Sequence, residues 1–214
     1  MKKGDKVAII CCSNGQVPAY KGKLQKLQDT LTQIGLMPVW SEFIYARDGV
    51  FSGTASQRAG ALMDFDVIGK SDKLFWGYSD LTTILNAIYT KAGKEAVLYQ
   101  LRNLIYDDAK HQICNFSNSM LEQGNDLFDF AYQFVQKESM QGIVVGGNIR
   151  CLLKLAGTEY FPDVTGKILL LEAYGGEVPQ MVTYCLYQRN RAWNQFESNC
   201  DWEGIGIINA SKGI

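Results

Sequence analysis

A single histidine, His111, stands in this 214-residue chain, and that scarcity excludes several chemistries. A protein metal site of the zinc type needs a set of nitrogen, sulfur or carboxylate ligands at short spacing. His111 has only Cys114 at such a distance, and two residues do not hold a metal. The six cysteines (Cys11, Cys12, Cys114, Cys151, Cys185 and Cys200) contain no CxxC pair. Several lie in apolar runs, where reduced cysteine behaves as a small core residue. A reducing, cytoplasmic compartment is therefore expected, with no metal or other cofactor. Basic runs are also missing, and the formal net charge is −1. That balance gives no electrostatic reason to expect nucleic acid or a membrane surface as partner. No apolar run approaches the roughly 20 residues of a membrane span. The start, Met1-Lys2-Lys3 followed by an apolar stretch over residues 7–12, mimics a signal peptide. The stretch is too short, Asp5 interrupts its approach and no small-residue cleavage site follows, so a first buried strand is expected instead. Neither a Walker-type Gly-Lys-Ser/Thr nor a Gly-x-Gly-x-x-Gly follows a strand. Trp40, Trp76, Trp193 and Trp202 are spread too widely for a base-stacking platform.

What remains is an ordinary globular composition, 47% apolar and 20% charged, in a chain long enough for one large domain or two small ones. The first half alternates strand and helix. Strands are predicted over residues 7–12, 37–43 and 73–78. A helix carries Leu24, Leu27, Leu31 and Ile34 and ends at Gly35; a short one runs from Gly53-Thr54 through Arg58 to Met63; a third spans 80–91. Such alternation predicts an α/β fold with a doubly wound, mainly parallel sheet. From about Tyr106 to Gln136 loop formers dominate (Asp107, Asp108, Asn115, Asn118, Gly124, Asn125), although 127–135 could be helical. A second α/β region follows: a strand over 142–145, a turn at Gly146-Gly147-Asn148, and a helix with Ile149, Leu152, Leu153 and Leu155. A strand over 166–171 is closed by Glu172, and a helix over 181–196 and a strand over 204–208 complete the region. The expected organisation is an N-terminal domain over 1–106, a linker region over 107–140 and a smaller, strand-rich C-terminal domain over 141–214.

The most informative segment is Lys73-Leu74-Phe75-Trp76-Gly77-Tyr78-Ser79-Asp80-Leu81-Thr82-Thr83, in which an apolar strand turns through Gly-x-Ser-Asp into a helix. Leu81, Ile84, Leu85, Ile88 and Tyr89 fall on one helical face. Two readings fit. Serine is a favoured helix N-cap, and Ser-Asp-x-Thr before an apolar helix needs no chemistry. Alternatively, the serine hydroxyl is pushed out at the end of a sheet as in a nucleophile elbow, with the Asp80 amide aimed at a developing oxyanion. Leu81 stands where the second glycine of the hydrolase elbow would be. Gly146-Gly147-Asn148 could likewise cradle a carboxylate or phosphate, which would suit a nucleotide- or sugar-phosphate-binding domain, though a tight turn is the simpler reading. Arg58 sits on a polar helix face, where a surface ion pair is expected.

Four segments in order carry a resemblance. They are Gly4-Asp5-Lys6-Val7-Ala8-Ile9-Ile10; Ser52-Gly53-Thr54 through Arg58-Ala59; Asp64-Phe65-Asp66-Val67-Ile68 running into Gly77-Tyr78-Ser79-Asp80-Leu81-Thr82; and Val145-Gly146-Gly147-Asn148 with Ala156-Gly157-Thr158 and Lys167 through Glu172. On these the chain resembles the LD-carboxypeptidase family of serine peptidases, which includes the microcin C self-immunity peptidases. The resemblance implies a doubly wound N-terminal domain joined to a smaller C-terminal one, and a Ser-His-Glu triad that hydrolyses an amide bond beside a free carboxylate. It implies Ser79 as nucleophile, the Asp80 backbone amide as an oxyanion donor, and Glu172 as the acid that orients the histidine. Glu177 is a second acid nearby and reads as a loop residue. The implied substrate is a muropeptide ending in a D-amino acid, met during cell-wall recycling, with a microcin-type aminoacyl-nucleotide peptide as the sister case.

Two departures shape the expectation. The family's histidine lies beyond the segment that residues 202–214 resemble. His111, in the loop region, is the only histidine present, and a solvated surface role is expected for it. The family also carries a strand and a Gly-Gly segment where Met63 is here followed at once by Asp64. The triad as written therefore lacks its base. The alternative function is a catalytically inactive homologue or fragment that binds peptides or partners. Missing closing elements would expose apolar surface, so a homodimer is a further expectation.

Overall fold

The computed structural model describes residues 1–60, 65–107, 109–129, 131–134, 139–173, 180, 183–184 and 205–208. They fall into two compact units, each drawn from two stretches of sequence: Met1–Met63 with Gln100–Tyr132, and Asp64–Tyr99 with Gln133–Ile214.

In the first unit, strand β1 (Lys6–Ile9) runs through helix α1 (Lys21–Gln33) into β2 (Met37–Trp40), which pairs parallel to it with Lys6 opposite Met37 and Ile9 opposite Trp40. Leu24, Leu27 and Leu31 form the buried stripe of α1, as their spacing predicts. The helix stops where expected, with Gly35 at φ +93° closing the last turn, a conformation open to a residue without Cβ. Helix α2 (Ala55–Gly60) opens on a reciprocal cap: the Gln57 amide donates to Thr54 Oγ1 at 3.2 Å, and the Thr54 amide donates to Gln57 Oε1 at 2.8 Å.

The second stretch of this unit corrects the expected loop region. A 3-10 turn (Leu101–Ile105) packs against α1 with Leu104 and Ile105 buried. A twelve-residue helix, α5 in chain order (Lys110–Leu121), follows it. Phe116 and Met120, one turn apart, are buried. That packing overrides the weak helix propensity of Asn115, Ser117, Asn118 and Ser119. Residues 126–128 form a turn, not a helix, because the Leu127 amide donates to Ser119 Oγ at 2.8 Å.

The second unit holds α3 (Phe65–Lys70), β3 (Phe75–Gly77), a 3-10 turn (Ser79–Leu81), α4 (Thr82–Ala92), β4 (Ala96–Leu98), β5 (Val144–Asn148), α6 (Ile149–Leu153), β6 (Ile168–Glu172) and β7 (Ile205–Ile208). β3 pairs parallel with β4, and β5, β6 and β7 form a parallel three-stranded sheet in that order. Neither α3 nor β4 is visible in the sequence pattern, each being too short to show a period. Val145, Ile149, Leu152, Val164, Leu169 and Leu171 make the core of the second sheet.

Gly146-Gly147-Asn148 is not the expected turn. These residues continue β5 opposite Leu170, Leu171 and Glu172, and α6 starts directly after them. The glycines are needed for this. Gly146 has φ +113°, and a Cβ on it would lie 2.2 Å from the Leu170 carbonyl oxygen. The helix expected over 181–196, Glu177, Trp193, Trp202, Cys185 and Cys200 lie outside the described residues, apart from residues 183 and 184 of that helix.

Every described strand pairing is parallel, and the crossovers β1–α1–β2, β3–α4–β4 and β5–α6–β6 each pass through a helix. The chain is an α/β protein, as its sequence predicts.

Candidate active site

The predicted elbow is present in the second unit. β3 ends at Gly77, Tyr78 remains extended, and Ser79 takes φ +55° before the 3-10 turn and α4 begin. Left-handed backbone at a non-glycine residue costs on the order of 1 kcal/mol and persists only where surrounding structure dictates it. The turn places half-buried Ser79 at the junction of strand end and helix start, with Asp80 in the first turn. Among the described residues, no side chain hydrogen-bonds the Ser79 hydroxyl.

The structure also accounts for Leu81 in place of the elbow's second glycine. A Cβ on Gly77 would lie 2.6 Å from Leu81 Cβ. The bare Gly77 backbone is what leaves room for the leucine.

Glu172 closes β6 opposite Asn148 of β5. Burial pushes its carboxyl pKa up, and a hydrogen bond from the Asn148 side chain pulls it partly back. One of its carboxylate oxygens, Oε1, is buried with no partner among the described residues. An acid in this state suits a partner that donates a hydrogen bond and carries charge, as an orienting carboxylate does with an imidazole.

Elbow and acid strand are joined within this unit by contacts the sequence reading missed. Asp80 Oδ1 accepts from the buried Cys151 thiol of α6 at 3.3 Å, with Lys154 Nζ at 3.9 Å. Burial and the bond to Asp80 raise the Cys151 pKa, which keeps the thiol a donor. Thr82 Oγ1 accepts from the Asn148 amide at 3.0 Å, and Asn86 bonds Gly146 from the next turn of α4. Thr82 and Asn86 are buried, so the buried side of α4 is Thr82, Leu85, Asn86, Ala87 and Ile88 and not the apolar stripe alone. The available signal was an asparagine within the apolar run Ile84-Leu85-Asn86-Ala87-Ile88.

Other candidates fall elsewhere. His111 lies in the first unit, exposed in the first turn of α5 and so on a helix, not in a loop. Arg58 forms no ion pair among the described residues. Its guanidinium instead stacks 4.5 Å over the Phe51 ring, with one nitrogen 3.4 Å from the Cys12 carbonyl. Helix α6 has five residues and its N-cap is Asn148, whose side chain accepts from the Cys151 amide. Among the described residues no helix is long and apolar enough to cross a membrane.

The second unit of this α/β architecture thus holds both a left-handed serine elbow and a half-buried strand-end glutamate, the two residue types a hydrolase-like site would use. Comparison with known proteins narrows the class. Residues 61–100 match the LD-carboxypeptidase N-terminal domain and residues 141–195 the LD-carboxypeptidase C-terminal domain. The chain is 30% identical over 153 residues to the "Probable murein peptide carboxypeptidase" of Bacillus subtilis, covering 68% of this chain and 44% of that protein. It is 22% identical over 170 residues to the microcin C7 self-immunity protein MccF of Escherichia coli, covering 62% and 49%. In fold it is similar to an MccF-like protein from Bacillus anthracis, with TM-score 0.76, 20% identity, and 98% of this chain and 78% of that one covered. It is also similar to MccF in complex with glutamyl sulfamoyl guanosine, with TM-score 0.72, 16% identity and coverage of 98% and 88%. A third similar structure is a muramoyltetrapeptide carboxypeptidase from Oxalobacter formigenes, with TM-score 0.67, 18% identity and coverage of 95% and 87%. The chain belongs to the LD-carboxypeptidase family, a family of serine carboxypeptidases. It spans between about two fifths and two thirds of the length of the curated relatives it matches.

Proposed function

We propose that this chain carries the nucleophile and the orienting acid of a serine LD-carboxypeptidase that cleaves the amide bond to a C-terminal D-amino acid in muropeptides. The observation that carries the reading is the left-handed Ser79 at the β3–α4 elbow, in the same unit as Glu172 at the end of β6. Ser79 Oγ attacks the scissile carbonyl, and the Asp80 amide at the helix start donates to the oxyanion. A serine hydroxyl is a poor nucleophile near neutral pH without a base in reach. Family resemblance assigns that base to a histidine other than His111, with Glu172 holding its tautomer and stabilising its charged form. The B. subtilis relative's name supports a murein peptide over an aminoacyl nucleotide.

The test is release of the terminal D-amino acid from an L,D-tetrapeptide by protein purified from its native reading frame, with its intact mass compared with 23.9 kDa. Release that is lost in Ser79→Ala supports the reading. Hydrolysis of an aminoacyl sulfamoyl nucleoside alone would move the substrate to the microcin type. No hydrolysis of either, with binding retained, would make the protein a peptide binder.

A further inference from the structure

Strand β5 is an edge of its sheet in the order β5–β6–β7, so one side of it lacks a strand partner among the described residues. Three backbone groups of Gly146 and Asn148 are nevertheless paired, and helix α4 supplies the partners. The Asn86 side chain accepts from the Gly146 amide at 3.0 Å and donates to the Gly146 carbonyl at 2.8 Å, completing both bonds that a neighbouring strand would offer that residue. Its amide nitrogen also donates to the Thr82 carbonyl at 2.7 Å, which fixes the side chain on the helix. Two residues along the strand, the Asn148 amide donates to Thr82 Oγ1. Thr82 and Asn86 are one helical turn apart, and Gly146 and Asn148 are alternate residues of a strand. The seam is therefore a register match between the helix repeat and the strand repeat. Gly147, between them, has no room for a side chain, since its Cβ would lie 2.7 Å from Thr82 Oγ1.

The seam ends at the chemistry on both sides. Thr82 is three residues after Ser79, and its amide donates to the Ser79 carbonyl. Asn148 pairs with Glu172 across β5 and β6. We propose that Thr82 and Asn86 are positioning residues, holding the nucleophile elbow at a fixed distance from the acid strand through the edge of β5. This rests on the serine carboxypeptidase reading for its catalytic meaning. Thr82 and Asn86 do not touch the reacting atoms; they act through Ser79 and Glu172. A displacement of about 1 Å in such a pair costs on the order of a hundredfold in rate.

The experiment measures amide hydrogen exchange at Gly146 and Asn148 together with steady-state hydrolysis, in wild type, Thr82→Val, Thr82→Ser and Asn86→Leu. Thr82→Val keeps shape and removes the acceptor; Thr82→Ser keeps the acceptor. The expected result for Thr82→Val is faster exchange at Asn148 and a kcat lower by about tenfold to a hundredfold, with KM changed by less than about twofold. Thr82→Ser should restore both. Asn86→Leu should expose the Gly146 amide to exchange in the same way. Unchanged kcat in Thr82→Val despite faster exchange at Asn148 would overturn the positioning role, as would a kcat loss that Thr82→Ser shares in full. Absence of hydrolysis in wild type would instead overturn the carboxypeptidase reading, and exchange at the two amides would then decide whether the seam holds.

Discussion

Asn148 and Glu172 are register partners at the ends of β5 and β6, and the Asn148 side chain offsets part of the burial that raises the Glu172 carboxyl pKa. The oxygen of the same side chain accepts from the Cys151 amide at 3.3 Å and caps α6. One asparagine thus ties the proposed acid to the helix whose thiol holds Asp80. Among the described residues the acid has no salt-bridge partner, and it is partly buried, so its pH behaviour has a definite sign.

Burial raises the Glu172 pKa in the folded protein above its ordinary value of 4.5. The charged form therefore opposes folding at pH above the folded pKa, and this penalty fades as pH falls through that pKa toward 4.5. Glu172→Gln should melt higher than wild type at pH 7 and lose that advantage near pH 4. Hydrolysis at neutral pH should fall by roughly 10⁴-fold, since the orienting charge is gone. Thermal melts at the two pH values check the first part. A Gln variant less stable at pH 7 would mean that the carboxylate is satisfied in the fold.

Ser79 in the left-handed region predicts opposite fates for activity and stability. Ser79→Ala should reduce hydrolysis to background. Ser79→Gly should do the same, while stability holds or rises by up to about 1 kcal/mol because glycine adopts φ +55° without strain. Ser79→Val should lose about 1–2 kcal/mol, since a β-branched residue fits that conformation worst. Urea midpoints of the three variants check the order Gly, Ala, Val.

The Gly77–Leu81 contact predicts a rescue. Gly77→Ala places a methyl 2.6 Å from Leu81 Cβ and should cost about 1–3 kcal/mol through overpacking. Adding Leu81→Gly removes the clash and should recover most of the loss attributable to it. A double-mutant cycle with zero coupling would show that the elbow tightness comes from elsewhere.

Much of this arrangement was legible in the residues. Gly-x-Ser-Asp between an apolar strand and an apolar helix announced the elbow, and Glu172 at the end of Ile168-Leu169-Leu170-Leu171 announced an acid at a strand terminus. The helical stripe of Leu24, Leu27 and Leu31 set α1 to within a turn. Other features lie in tertiary geometry and leave no periodic trace. The loop-like polar run over 110–121 became α5 because Phe116 and Met120 found a core. Gly146-Gly147-Asn148 reads as a turn by composition. It is a strand because those glycines admit close neighbours on two sides: the Leu170 carbonyl and Thr82. The seam from α4 to β5 joins residues about sixty positions apart, a separation that no local pattern encodes.

The interleaving of the two units has a consequence for how the protein can be divided. The chain enters the second unit at Asp64, leaves it after Tyr99 and returns at Gln133. A single proteolytic nick anywhere between Tyr99 and Gln133 cuts the covalent tie between elbow and acid strand but leaves every hydrogen bond between them in place. Such a nicked protein should elute intact on gel filtration and come apart only in denaturant, as a split enzyme reassembled from its own halves does.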